Sequence, residues 1–510
     1  MIPQAAQRAL RIAIWVAAVA LGVSRFLWLT ADFPNYSPWM IDPAKFTDEG
    51  WWANAAVMHA LTGHWHIAGD YNPAAALPMW PLMLGALFHF TGASIIAARA
   101  LSAAFSFASL GVVYALVRRY AHNPIAAETA VLLMAASPFA FVFSRLATLD
   151  TLVVFEFCLM LLVASLAPND TATGKPCIWP LAALALLVTA ALLTKTTVAV
   201  LLPAVAWIAW TTPTVSSASN LKDREHGARS RHALIRAVVT VIVAPLAFLK
   251  LWALFISWTG YGQDYAYFFG VNDMPDIDWS QTLHWLHDLA VNGFWIDRFL
   301  YPLALAILIA SILFKRIIWR NPLFTASWLA IAGEVIFIFS RQDDYAPRYF
   351  LAMLAPIVFI VAIAFDDALR SSRSAARVLA TAIAIAVIFN SVSIAGFLAH
   401  RQYQLYGAAR DIAATIRADR THSQLLFGVS AAEVGLIAGL PSINAAYGID
   451  DMAAKVARYK PGWYLAWNDE NENDVLAGHR LVPVASYRIF DDDERTTLVL
   501  YEIQWTVNRE

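Results

Sequence analysis

The sequence predicts a mainly α protein: a polytopic transmembrane helical bundle of about eleven spans, with juxtamembrane helices in the first outer loop and a small C-terminal α/β domain on the outer face. Three observations carry this. Hydrophobic residues make up 59% of the 510-residue chain and charged residues 14%, against ~25% in soluble domains. Mean hydropathy is +0.56. The apolar residues fall in runs near the ~20 residues that a helix needs to cross ~30 Å of hydrocarbon, and these runs stop near residue 400.

In chain order, Arg8 and Arg11 precede an apolar run from Ile12 to Val23 that resembles a secretory signal. Many spans follow and no clear cleavage site precedes the loop, so it reads as an uncleaved first span, 10–30. Further spans are expected near 94–117, 124–143, 150–167, 178–194, 196–212, 233–257, 298–314, 321–340, 349–365 and 377–399. Segment 76–91 is short and carries Pro78, Pro81 and His89. If it does not cross, the basic loops all fall on the N-terminal, cytoplasmic side: Arg118 and Arg119, Lys175, Lys222 to Arg231, Lys315 to Arg320, and Arg370 to Arg377. If it crosses, all of them are exported, against the positive-inside bias. It is therefore expected to be a juxtamembrane or re-entrant helix. Loops 31–75, 144–150, 258–297 and 341–348 then share the outer face.

Residues 1–400 form the expected membrane domain and 401–510 an extracytoplasmic one. The latter alternates helical segments (402–418, 430–438, 450–459) with strand-like runs (Gln424 to Phe427, Trp463 to Ala466, Leu481 to Ile489, Thr496 to Gln504). There is no internal repeat, and the one low-complexity linker is the polar stretch 213–232. A net charge of -1 offers no general attraction to nucleic acid. Cys158 and Cys177 give neither a disulfide framework nor metal-ligand spacing.

Phe46-Thr47-Asp48-Glu49-Gly50-Trp51-Trp52 puts two adjacent carboxylates and an aromatic pair outside the first span. Loop carboxylates are often only solvated, but Trp51, Trp52, Trp65, Tyr71 and Trp80 crowd the same loop. Such rings anchor at headgroup level or stack on sugar and lipid groups. Arg145 and Asp150 sit at the outer mouth of two spans, as an internal ion pair or as substrate contacts. Glu156 lies about two turns deeper, where a carboxylate is costly, and either has a function or bonds a neighbouring helix. Lys195, between two spans with almost no loop, is either a snorkelling lysine or a point charge for a phosphate. Arg348, in Arg341-Gln342-Asp343-Asp344-Tyr345-Ala346-Pro347-Arg348-Tyr349, offers a fork suited to phosphate oxygens, the bland alternative being a pair with Asp343 or Asp344. His59, His64, His66 and Asp70 are the candidates for a divalent cation, in a spacing that matches no firm motif. No Walker loop, dinucleotide fingerprint or nucleophile elbow is present, so a soluble nucleotide donor is not indicated.

Together these motifs resemble the GT-C class of integral membrane glycosyltransferases, in the branch with protein O-mannosyltransferases and the lipid A aminoarabinose transferase. The likeness rests on Asp48-Glu49 in the first outer loop, the Pro-containing helix with Trp80, the Arg145 to Asp150 turn, the Lys195 turn and the Arg348-Tyr349 start of a late span, in that order and on one face. It implies transfer of a sugar from a polyprenyl phosphate to a lipid, glycan or protein acceptor outside the bacterial plasma membrane. Asp48, Glu49 and Asp150 would be the catalytic carboxylates, Asp48 as general base or acceptor-orienting group. Arg145, Lys195, Tyr345, Arg348, Trp51 and Trp80 would contact substrate, with Lys195 and Arg348 on the phosphate. The rival reading is a transporter or flippase for a lipid-linked or anionic substrate. Such proteins usually show paired repeats and midplane polar sites, whereas here charge gathers at one face.

Overall fold

The computed structural model describes residues 4–33, 43–166, 178–211, 226–272, 297–314, 317–340, 347–468, 476, 479–490 and 495–505. The chain is mostly helical. Its first half holds α1 (Gln4–Ser24), α2 (Asp48–Thr62), α3 (Met79–Thr91), α4 (Ile95–Tyr120), α5 (Pro124–Ala136), α6 (Pro138–Phe143), α7 (Asp150–Ser165), α8 (Ile178–Thr194) and α9 (Leu202–Thr211). There follow α10 (His226–Val238), α11 (Ala244–Trp258), α12 (Gly262–Val271), α13 (Leu300–Leu313), α14 (Pro322–Ser340), α15 (Leu351–Ser371) and α16 (Arg373–Ala399). Among the described residues, five helical runs are long and apolar enough to cross a membrane, starting at Gln7, Ile95, Ala233, Pro347 and Arg373. Shorter apolar helices cover 79–91, 124–136, 178–194, 196–211, 300–313 and 322–338.

Some expected spans are interrupted, for local reasons. The 124–143 run breaks at Ser137, because Pro138 has no N–H to continue the helix and the Ser137 hydroxyl accepts from Ala140 N (3.2 Å) to start α6. The 10–30 run ends at Ser24. There Arg25 turns inward, donating to Met134 O (2.9 Å) and Ala135 O (3.2 Å) and bonding Ser106. A π-helical turn, Val239–Val243, joins α10 to α11.

The bundle is organised around α15, which is apolar on all sides and almost wholly buried, as an apolar helix without a polar face must be. It packs against α5, α7, α13, α14 and α16. One end of the bundle collects the ends of several connections. Arg119 Nη2 donates to Ser165 O (2.7 Å), Asn321 Nδ2 to Tyr120 O (3.0 Å) and Asn123 N to Asp366 Oδ1 (2.8 Å), while Arg11 forks onto Glu128 (2.8 and 3.0 Å). The loops with Arg118, Arg119, Arg320 and Arg370 thus share one end.

Helix α3 stays at the opposite end. Its first turn is pinned where Trp80 Nε1 donates to Ala147 O (3.1 Å), and its last leads through Gly92 (φ 69°) directly into α4. The first turns of α4 and α2 are themselves joined at that level by Arg99 and Glu49. Thirteen residues rise only about 20 Å, short of the bilayer.

Beyond α16 come α17 (Gln404–Ala418), β1 (Leu426–Gly428), α18 (Ala431–Ala438), β2 (Ser442–Asn444), α19 (Met452–Tyr459), β3 (Trp463–Trp467), β4 (Arg480–Arg488) and β5 (Thr497–Gln504). The sheet order is β2-β1-β3-β5-β4. β1 runs parallel to β2 and β3, and β5 antiparallel to β3 and β4. Strand β2 is three residues long and was not expected. Asp32 ties this unit back to the segment after α1 by accepting from Leu405 N (2.9 Å) and Tyr406 N (3.2 Å) at the start of α17. Burial pushes its carboxyl up to about 6.

If the basic end faces the cytoplasm, single cysteines in a background lacking Cys158 and Cys177 will label by side. Ser374→Cys should be shielded from an impermeant thiol reagent in intact cells, whereas His64→Cys and Val484→Cys should react. Labelling at 374 would reverse the orientation.

Candidate active site

Asp48 and Glu49 occupy the first turn of α2, where the exposed N–H groups and helix dipole favour negative charge. Being adjacent on a helix of 3.6 residues per turn, they point about 100° apart and meet different partners. Glu49 takes the fork of Arg99, Nε to Oε1 at 2.7 Å and Nη2 to Oε2 at 2.5 Å, and its Oε1 also accepts from Ala147 N (2.6 Å). Arg99 Nη1 caps the carbonyls of Leu29 (2.7 Å) and Ala31 (2.8 Å). This bidentate, fully buried pair locks the first outer segment, α2, α4 and the turn before α7 together. Glu49, expected to be catalytic, has both oxygens engaged, by Arg99 and by Ala147 N.

Asp48 faces the other way, its Oδ2 at 2.8 Å from Arg348 Nη2. Arg348 lies in the turn Pro347–Phe350 that begins the central helix, and its Nε is 4.0 Å from Oδ2 of Asp150, the first residue of α7. Oδ1 of Asp150 accepts from Lys195 Nζ at 2.5 Å, at the end of α8. Asp48, Arg348, Asp150 and Lys195 therefore form one chain of alternating charge built from four remote segments. Tyr349 floors it, with Lys195 Nζ 4.4 Å and Arg348 Cζ 5.2 Å from its ring centroid. A cleft beside this chain is lined by Val153, Phe337, Ala352 and Glu334. It puts Lys195 and Arg348 beside the apolar side chains of Val153, Phe337 and Ala352, with the Glu334 carboxylate in the same wall.

The other expected residues meet different partners. Arg145 does not pair with Asp150. Its Nη2 donates to Leu27 O (2.9 Å) and Trp28 O (2.7 Å), and the guanidinium lies 5.1 Å from the Phe141 centroid. Trp80 is fully buried, its indole N–H on Ala147 O. Trp51 donates to Val429 O (2.9 Å) in the C-terminal unit. Glu156 accepts from Thr194 Oγ1 (2.9 Å), a contact to the next helix. Tyr345 lies outside the described residues. The suggested cation ligands do not converge: Asp70 is buried against Lys455 (3.0 Å), His59 stacks on Trp65 (4.3 Å) and His66 meets Tyr261 edge to face (4.8 Å). Among the described residues no group of three or more His, Cys, Asp or Glu side chains is placed to hold a metal.

Two participants were missed. Arg99 had a visible signal, a lone arginine inside an apolar span. Glu433, on α18, had none. It is buried under α2, with Gly50 N donating to its Oε2 at 2.7 Å. Burial, then the nearby Glu49 carboxylate, pushes its pKa well above the ordinary carboxylate range. A Cβ on Gly50 would lie 2.1 Å from Glu433 N, so only glycine permits this docking.

Residues 73–255 match the family model of dolichyl-phosphate-mannose-protein mannosyltransferases. No curated protein matches the sequence itself. The whole chain is similar in structure to ArnT from Cupriavidus metallidurans. In the apo state the TM-score is 0.62 at 15% identity, covering 97% of this chain and 98% of that one. Bound to undecaprenyl phosphate, ArnT matches with a TM-score of 0.61 at 16% identity over 98% of each. The apo oligosaccharyltransferase of Archaeoglobus fulgidus matches at 0.51 and 13% identity, covering 90% of this chain and 69% of that one. The chain thus shares the fold of ArnT and of the archaeal oligosaccharyltransferase, and with its long apolar helices it is a multi-pass membrane protein.

The Glu49 and Arg99 pair generates a stability prediction. Glu49→Gln leaves a buried guanidinium uncompensated and should lower stability by about 3–5 kcal/mol in detergent unfolding. A loss below about 1 kcal/mol would show that the pair is not structural.

Proposed function

We propose that this chain moves a sugar from a polyprenyl-phosphate donor to an acceptor lipid, glycan or protein on the extracytoplasmic face of a bacterial plasma membrane. The observation that carries the reading is the alternating chain of Asp48, Arg348, Asp150 and Lys195 beside a cleft that Val153, Phe337 and Ala352 line in part. A lipid-linked phosphate needs cations where its tail can remain in an apolar setting, and this site offers both. The undecaprenyl phosphate bound to ArnT, which shares the fold, supports the same class of ligand.

The chemistry balances as a direct displacement. The acceptor oxygen bonds to the anomeric carbon as the bond from that carbon to the phosphate oxygen breaks, and polyprenyl phosphate departs. A donor phosphodiester carries one negative charge, and the departing monoester approaches two, so Lys195 and Arg348 bind the transition state more tightly than the donor. Asp48 accepts the proton of an acceptor hydroxyl. Before the donor arrives, Arg348 neutralises Asp48. Entry of the phosphate draws the guanidinium toward the new charge and releases the carboxylate to act as base. Asp150 keeps Lys195 oriented throughout.

Asp48→Asn keeps the size of the side chain and removes its basicity. Purified protein supplied with a polyprenyl-phosphate sugar should lose roughly 100-fold or more in rate. Wild-type turnover in this variant would remove Asp48 from the mechanism.

The phosphate contacts separate by geometry. Arg348→Lys keeps the charge but loses the fork, so it should still impair transfer, and Lys195→Ala should affect donor use more than acceptor use. Because these contacts strengthen as phosphate departs, both variants should lower kcat as well as raise KM for donor. Unchanged donor kinetics in both would mean that the phosphate binds elsewhere.

A further inference from the structure

Tyr447 stands on the loop between β2 and α19, and its ring meets two rings of the first outer loop. The Trp51 and Tyr447 centroids are 5.2 Å apart at an interplanar angle of 81°, Tyr71 and Tyr447 are 5.6 Å apart, and Trp51 and Tyr71 5.9 Å. Each ring touches the other two, edge to face or tilted, so the three make a corner and not a flat stack. Trp51 is one helical turn beyond Asp48 on α2, which sets the corner over the candidate base. Burial raises the Tyr71 phenol and the Asp48 carboxylate raises it further, placing that hydroxyl within electrostatic reach of the site. Tyr447 remains 37% exposed, so the corner has an open side.

The loop carrying Tyr447 is held by an unusual amount of buried polarity. Lys455 and Asp70 are both essentially inaccessible, and Lys455 Nζ donates to Asp70 Oδ1 (3.0 Å), Asn444 O (2.8 Å) and Tyr447 O (2.5 Å). Asp70 Oδ1 also accepts from Asn444 N (3.1 Å), and Asn444 Oδ1 from Ala446 N (2.8 Å) and Tyr447 N (3.1 Å). Tyr267, on α12, accepts from Gly448 N (3.0 Å). A Cβ at Gly448, where φ is +144°, would meet Lys455 Nζ at 2.5 Å. Burying a lysine and an aspartate is costly unless they are fully bonded, and here the Asp70 bonds to Lys455 and Asn444 and the Gly448 bond to Tyr267 fix this loop against the first outer loop and α12.

We propose that Trp51, Tyr71 and Tyr447 form a wall on which a sugar ring stacks beside Asp48, with the Asp70 and Lys455 pair as the positioning element that holds Tyr447 in the wall. The inference rests on the transferase reading above and assigns the C-terminal domain a direct share of the substrate site. The apolar C–H face of a pyranose or furanose fits an aromatic face, and the ring belongs either to the donor sugar or to a sugar of the acceptor.

The test uses the full chain in detergent, with a panel of undecaprenyl-phosphate-linked hexoses and pentoses. For the donor that the intact protein turns over, Tyr447→Ala should raise the KM of one substrate about tenfold and leave binding of bare undecaprenyl phosphate unchanged. A raised donor KM assigns the wall to the donor sugar, and a raised acceptor KM to the acceptor. Tyr447→Phe, which keeps the ring, should behave as wild type. Lys455→Met should reproduce Tyr447→Ala, and the double variant should be no worse than either, as expected when one residue acts through the other. Turnover with unchanged KM for both substrates in Tyr447→Ala overturns the wall alone. Equal weakening of bare undecaprenyl phosphate shows that the effect is not on a sugar and also overturns it. If the intact protein turns over no donor of the panel, the transferase reading falls and the wall with it.

Discussion

Charges held away from water at the edge of a bilayer must be paired, and the rest of this structure follows from how they are paired. Glu49 with Arg99, Asp150 with Lys195, and Asp48 with Arg348 each join segments far apart in sequence. Removing a carboxylate or a guanidinium from water costs several kcal/mol, and the pairing offsets this only when the geometry is good. The helix ends that carry these groups are therefore not free to drift. Pairing fixes the starts of α2, α7 and the central helix and the end of α8 at one level, and that level is the site.

The two neighbouring acids of α2 divide the work. Glu49, satisfied on both oxygens, is a structural tie, while Asp48 shares an arginine that is also near Asp150. A cation shared between two carboxylates can exchange one of them for an incoming phosphate while it stays near the other, and the carboxylate given up is left charged and without its cation. Such an arrangement suits a ligand that arrives and leaves as an anion. In the proposed reaction this same exchange readies the base.

Much of this was legible in the sequence and some was not, for physical reasons. Apolar run length and the distribution of Lys and Arg predicted a helical bundle and placed Asp48, Asp150, Lys195 and Arg348 at one end, where they meet. The helices and longer strands of the C-terminal unit followed from periodicity. Partner choice was not legible, because adjacent acids look alike in a sequence and only the helical turn separates Asp48 from Glu49. The five-residue spacing of Arg145 and Asp150 suggested a pair, yet Arg145 turns to the carbonyls of Leu27 and Trp28 and Asp150 to a lysine from another helix. Trp80 looked like a substrate ring and is buried with its indole N–H on Ala147 O, since a tryptophan has both an apolar body and a donor to place. Of the histidines between α1 and α3, His59 stacks on Trp65 and His66 meets Tyr261 edge to face, so the two turn to different rings. Glu433 had no signal, because its burial exists only once α18 docks on Gly50.

The C-terminal unit is fastened to the bundle at Asp32, Gly50, Trp51 and Asp70, all within the first outer loop. That loop is therefore fixed from two sides, by the membrane helices and by the sheet domain. The central claim, that a lipid-linked phosphate is held by Lys195 and Arg348, is tested most directly by determining the structure of the protein with undecaprenyl phosphate. The account predicts phosphate oxygens within hydrogen-bond distance of Lys195 Nζ and the Arg348 guanidinium, with Arg348 drawn off Asp48. Phosphate bound in the separate cleft lined by Arg145 and Arg401, with Arg348 still on Asp48, would contradict it.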